Sequence, residues 1–170
     1  MINSLRNIKR NFQDKKFIKS QRKRLFDKDT LLHAFYERKM IFVHIPKTAG
    51  ISIVKSIFGD VSLEGHRSIR FYDSLFQGEL SNFFNFTIVR NPWDRLYSAY
   101  KFLEKGGINI HDKNAYNQHL KKFNDFEDFV MNGLDNKIIW EIMHLVPQYE
   151  FVCDKSDNVL VDFVGRFENL

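Results

Sequence analysis

The sequence predicts an α/β protein in three layers, with a central, mainly parallel sheet flanked by helices. Two observations carry most of that prediction. Met40 to Ile45 and Phe83 to Val89 are apolar runs that each break abruptly into a polar turn and then into a helical pattern. Neither run alternates cleanly between apolar and polar, and near-continuous apolar strands belong to parallel sheets buried on both faces. The two strand-to-helix turns are separated by about one further βα unit, which places both candidate sites on one edge of the sheet, at the carboxyl ends of its strands.

Taken in order, residues 1–39 form a basic helical leader. Residues 1–40 hold 12 Lys or Arg against 4 Asp or Glu, a balance of +8, whereas the net charge of the whole chain is +5, so the remaining 130 residues carry −3. The leader bears Arg6, Lys9, Arg10, Lys15, Lys16, Lys19, Arg22, Lys23 and Arg24, with Leu5, Ile8, Phe12, Ile18 and Leu25 at weakly amphipathic spacing. Two readings stay open for residues 6–24: a solvated helical face, or a surface that docks an anionic polymer or an acidic membrane. Nothing in it reads bases, so no specific nucleic acid is expected. Thr30 to Arg38 has near-helical apolar spacing and packs against the sheet.

The first strand, Met40 to Ile45, is stopped by Pro46, which lacks an N–H and fixes φ. Gly50 and Ser52 allow a tight turn into the helical pattern Ile53, Val54, Ile57, Phe58, closed by Gly59-Asp60. A short segment with Val61 and Leu63 follows, then a polar loop or strand end over 64–70. Phe71 to Phe76 forms a short helix and residues 78–82 a connector. After the second strand, Asn91 caps a helix with Pro92 in its first turn, presenting Leu96, Ala99, Tyr100 and Leu103 until Gly106-Gly107 ends it. Residues 108–117 are polar and loop-like. Two helices broken near Gly133 come next, and Tyr149 to Phe163 reads as a hairpin turning at 154–158.

At 170 residues and 44% hydrophobic content the chain suits one globular domain, and eighteen Phe with three Pro argue against disorder. Its single cysteine, Cys153, excludes an internal disulfide framework and points to a reducing, cytoplasmic setting, peripheral at a membrane if the leader docks there. No apolar run is long enough to span a bilayer.

The first turn, His44-Ile45-Pro46-Lys47-Thr48-Ala49-Gly50-Ile51-Ser52, suits an anion. The first amides of the helix lack partners, the helix dipole is positive at that end, and Lys47 supplies a counter-charge. It is not a Walker A loop, because Lys47 precedes Gly50 and no acidic residue after a strand stands out as a magnesium carrier. The second turn offers Arg90, which can grip a phosphate bidentately, and Ser98, which adds a hydroxyl. Two separated anion grips suit a bisphosphate, and no metal is expected.

These paired turns resemble the donor-binding motifs of the sulfotransferases that use 3'-phosphoadenosine 5'-phosphosulfate (PAPS), closest to the carbohydrate sulfotransferase branch. The resemblance also covers Gln148-Tyr149 and Val161 to Leu170, so it spans residues 40–170. It implies a P-loop-like fold and transfer of a sulfuryl group from PAPS to a hydroxyl of a saccharide or other acceptor, releasing 3'-phosphoadenosine 5'-phosphate. It implies that Lys47, Thr48, Ala49, Gly50, Ile51 and Ser52 bind the phosphosulfate end, and that Arg90 and Ser98 bind the 3'-phosphate. Lys47 would stabilise the leaving group and His66 would act as base, against the alternative that His66 is a surface residue. Arg67 and Arg70 would hold an anionic sugar, or else lie in a solvated loop. His44 is expected to be structural, and His33, His111, His119 and His144 have no supporting context. Ile51 stands where the family has Thr. Family members continue past the Phe167-Glu168-Asn169-Leu170 element, so the domain is expected to lack that closing portion and to bind its donor more weakly. The contrasting expectation is a non-catalytic anion-binding module; a phosphotransferase of related fold is a third.

Overall fold

The computed structural model describes residues 15–170. Its helices are α1 Lys15–Lys23, α2 Leu31–Arg38, α3 Gly50–Phe58, α4 Ile69–Leu75, α5 Pro92–Glu104, α6 Ile110–Ala115, α7 Phe126–Asn132, α8 Asn136–Glu141 and α9 Tyr149–Val152. Its strands are β1 Met40–Val43, β2 Phe84–Val89 and β3 Phe163–Arg166, in one sheet of order β1-β2-β3. Both pairings are parallel, with Phe42 opposite Phe86 and Ile88 opposite Gly165. The α/β class with a parallel sheet flanked by helices is therefore the one the apolar runs predict.

Ile41, Phe42 and Val43 are fully buried, and Phe42 meets Phe86 across the ladder at 5.1 Å between ring centroids. The Thr87 hydroxyl donates to the Val43 carbonyl at 2.7 Å, so a β-branched polar residue is satisfied inside the sheet. One core lies around β1, α2 and α4. A second gathers Ala99, Tyr100, Leu103, Phe129, Ile138 and Leu145 beneath α5. Among the described residues no helix is long and apolar enough to cross a membrane.

Local chemistry sets the helix starts. Thr30 accepts from the His33 amide to open α2, and Asn91 accepts from the Trp93 amide at 3.0 Å to open α5, with Pro92 in the first turn. The described part of the leader packs on the domain. Ile18 is buried, Phe17 contacts Phe71, and Arg22 donates to the carbonyls of Ser74 and Leu75. Leu5, Ile8, Phe12 and the basic residues before 15 lie outside the described residues.

Four expectations are corrected. Tyr149 to Val152 is a helix, not a strand: Glu150 N bonds Pro147 O, so the turn after the proline winds up instead of extending. Only a single antiparallel bridge, Cys153 with Val159, remains of the hairpin, and β3 joins the sheet parallel to β2. Residues 110–115 are helical rather than loop, because Asn109 caps the amides of His111 and Asp112. The segment between β1 and β2 adds helix α4, which starts at Ile69 rather than Phe71, but no further sheet strand. Its extended part reaches only a bridge from Ser62 to Thr30, so β1 and β2 are direct neighbours.

Candidate functional site

The turn leaving β1 is built under backbone load. Lys47 and Ala49 adopt left-handed φ of 68° and 63°, a region that costs a non-glycine residue on the order of 1 kcal/mol or more and persists where the surroundings enforce it. Gly50, expected to relieve the turn, has no such φ; its role is proximity. A Cβ at Gly50 would stand 1.9 Å from the His44 ring, so only glycine lets that ring lie against the start of α3. Gly50→Ala should therefore displace His44 and destabilise the fold by about 2 kcal/mol. Chemical denaturation checks this, and an unchanged midpoint would mean that the His44 ring moves aside freely.

Ala49 caps α3 without a side-chain bond, and the first helical bond from this turn is Ile53 N to Ala49 O. The amides of Gly50, Ile51 and Ser52 thus open the helix uncapped, beside Lys47. The Thr48 hydroxyl is fully buried and donates to the Ile45 carbonyl at 2.9 Å, tying the turn to the end of the strand.

A cavity of about 490 Å³ opens at this turn, lined by Lys47, Ala49, Gly50, Ile51 and Ser52, and on other walls by His66, Asp112 and His144. Lys47 Nζ lies 3.9 Å from the centroid of the Phe102 ring. Burial, and then the nearby Arg90 guanidinium, lowers its pKa below 10.5.

His66 enters from the loop before α4 and shares a hydrogen bond between Nδ1 and the His44 carbonyl at 3.0 Å. A carbonyl can only accept, so Nδ1 carries the proton and Nε2 is left as a lone-pair acceptor. Burial lowers the His66 pKa below 6.5, outweighing the bond to His44 and the Asp112 carboxylate, which raise it. His44 packs edge-on against His66 at 4.4 Å, and burial takes its pKa down to about 3. His144 lies 5.8 Å from His66 by ring centroids, with Nε2 3.9 Å from Asp112 Oδ1, and burial lowers its pKa to about 4.

Arg90 stands behind the turn. Its Nη1 donates to the Lys47 carbonyl at 3.4 Å, its guanidinium stacks 4.1 Å from the Phe167 ring centroid, and its buried Nε has no partner. The Gln148 side chain clamps the Arg90 backbone, accepting from its N–H at 3.0 Å and donating to its carbonyl at 2.8 Å. Ser98 is half-buried on α5. Arg90, Ser98 and Thr48 do not line the cavity, whereas Lys47, Ala49, Gly50, Ile51, Ser52 and His66 do.

Several residues of the site escaped sequence reasoning. Asp112 and His144 lie far from both turns in sequence, and the one local signal for Asp112 is the Asn109 cap three residues before it. Arg95, buried within the second motif, donates to the carbonyls of Pro46, His144, Leu145 and Val146. It joins the turn to the segment carrying His144, and burial lowers its pKa to about 10. Arg70, a candidate for an anionic sugar, instead bonds the Cys153 and Glu150 carbonyls and the Glu150 carboxylate. Arg67 stacks between Phe17 and Phe71 and is not part of the lining. Among the described residues no group of three or more His, Cys, Asp or Glu is placed to hold a metal.

Residues 34–170 match a family model described as the Sulfotransferase family. No curated protein and no solved structure matches the chain.

Proposed function

Because the chain belongs to the sulfotransferase family, we propose that its transfer of a sulfuryl group uses PAPS as donor and a hydroxyl of a saccharide as acceptor. The observation that carries this reading is the meeting of Lys47, the uncapped amides of α3 and His66 on one cavity. An anion grip and a base acceptor within one enclosure are what transfer of an anionic group to a hydroxyl requires.

The residues present fit the donor. Lys47 and Arg90 are two cations close enough for Arg90 to lower the Lys47 pKa, and the buried Arg90 Nε has no hydrogen-bond partner among the described residues. An anion relieves both conditions. Lys47 with the amides of Gly50, Ile51 and Ser52 would hold the phosphosulfate end, with Thr48 and Ala49 shaping the turn. Arg90 and Ser98 would hold the 3'-phosphate. The donor supplies the sulfuryl group and departs as 3'-phosphoadenosine 5'-phosphate. Lys47 offsets the charge that grows on the departing phosphate. His66 Nε2 receives the acceptor hydroxyl proton as the new O–S bond forms, and the Nδ1 bond to His44 keeps the ring in the accepting tautomer.

Lys19 and Lys23 on α1 stay exposed while Arg22 and Arg24 turn inward to Ser74, Leu75 and Glu64. That supports docking of an anionic surface by the leader, apart from the catalytic cavity.

The test is a calorimetric titration with 3'-phosphoadenosine 5'-phosphate. Wild type should bind, and Arg90→Ala should weaken binding by about 2 kcal/mol, the range for a hydrogen bond to a charged group. Equal affinity in the two proteins would remove Arg90 from the donor site, and no binding to wild type would overturn the donor assignment.

A further inference from the structure

The charges on the cavity divide into two groups. Among the described residues that line it, Lys47 is the one permanent cation, and it lies with the anion-binding turn. The walls away from that turn carry two carboxylates, Glu64 and Asp112, which are 7% and 6% exposed. Asp112 Oδ2 accepts from the Ile108 amide at 3.0 Å, and Oδ1 faces His144. Glu64 Oε2 takes Arg24 at 2.8 Å, whereas its buried Oε1 has no hydrogen-bond partner among the described residues. Burial raises the Glu64 pKa, and Arg24 and Arg67 act against that rise, yet neither arginine lines the cavity. The guanidinium suited to an anionic sugar, Arg70, is bonded into α9 and the residues after it.

From this division we infer that the acceptor is a polyhydroxylated molecule whose reacting end is uncharged or amine-bearing, and that carboxylated or already sulfated glycans are turned away. The inference rests on the sulfuryl-transfer reading of the same cavity. A carboxylate brought beside Asp112 would meet like charge on a wall where, among the described residues, no permanent cation lines the cavity, Lys47 lying with the turn after β1, and that juxtaposition works against binding. Sugar hydroxyls and ammonium groups donate hydrogen bonds, and the carboxylates of Asp112 and Glu64 are acceptors suited to them. Setting like charge against the wrong partner is one of the ways a site discriminates.

The experiment compares three oligosaccharide series of equal length: N-acetylglucosamine oligomers, their de-N-acetylated amines, and oligomers alternating with uronic acid. Binding is measured by calorimetry on the full chain saturated with 3'-phosphoadenosine 5'-phosphate, and transfer is followed with labelled sulfate. The neutral or amine series should bind and be sulfated with kcat/KM about tenfold or more above the uronate series. Asp112→Asn keeps an oxygen for the Ile108 amide while removing the charge, and should narrow that ratio. Tighter binding or faster sulfation of the uronate series overturns the inference, as does a protein that binds the bisphosphate but none of the three series. A ratio unchanged in Asp112→Asn removes Asp112 from the discrimination and overturns the electrostatic account. Failure to bind the bisphosphate at all identifies the donor reading as the fault.

Discussion

Lys47→Ala is expected to cut transfer of labelled sulfate by about two to three orders of magnitude, with the loss concentrated in kcat. Transfer builds negative charge on the departing phosphate, and the Lys47 ammonium is the cation that lines the cavity at the anion-binding turn. Its half-buried setting beside Phe102 makes the charge act through less water than at the surface. Burial and Arg90 also lower its pKa in the free protein, so kcat/KM should fall on the alkaline side from a midpoint below 10.5. Lys47→Arg keeps the charge but not the reach, and recovery in that variant would be partial. A kcat in Lys47→Ala within a factor of two of wild type would exclude Lys47 from leaving-group stabilisation.

His66→Gln should lower kcat by about 10²- to 10⁴-fold while leaving bisphosphate affinity within a factor of about two, since proton acceptance is lost and the anion grip is kept. The pH profile separates this from a packing defect. Burial holds the His66 pKa below 6.5, so the imidazole is neutral at neutral pH and loses its acceptor only on acidification. In wild type kcat/KM should therefore decline below pH 6.5. In the Gln variant the limb belonging to His66 should vanish. Glutamine preserves a donor to the His44 carbonyl, which keeps the loop in place. A variant with full activity would remove His66 from the proton transfer.

How far these residues could be read from sequence depended on how local their signals are. β1, β2 and the starts of α2 and α5 were legible because continuous apolar runs, Thr30, and the Asn91-Pro92 pair act within a few residues. The turn between β1 and α3 was legible for the same reason, although its backbone load falls on Lys47 and Ala49 and not on Gly50. Tyr149 to Val152 was not, since four residues carry too little periodicity to separate strand from helix and the preceding proline decided the outcome. α6 was missed because it is polar and depends on its Asn109 cap rather than on an apolar face. Asp112 and His144 reach His66 only through packing of α5, α6 and the segment after α8, which no spacing in the chain encodes. The fate of Arg70 was equally hidden, because the carbonyls that bind it lie some eighty residues away.

Arg95 ties the Pro46 carbonyl to those of His144, Leu145 and Val146 through one guanidinium. On the proposed reading, the donor turn and the acceptor wall would share this joint. Were occupancy of one wall to shift the other through it, the linkage would be reciprocal: the factor an acceptor adds to donor affinity is the factor the donor adds to acceptor affinity. A substitution on either wall would then be felt as an altered affinity on the other.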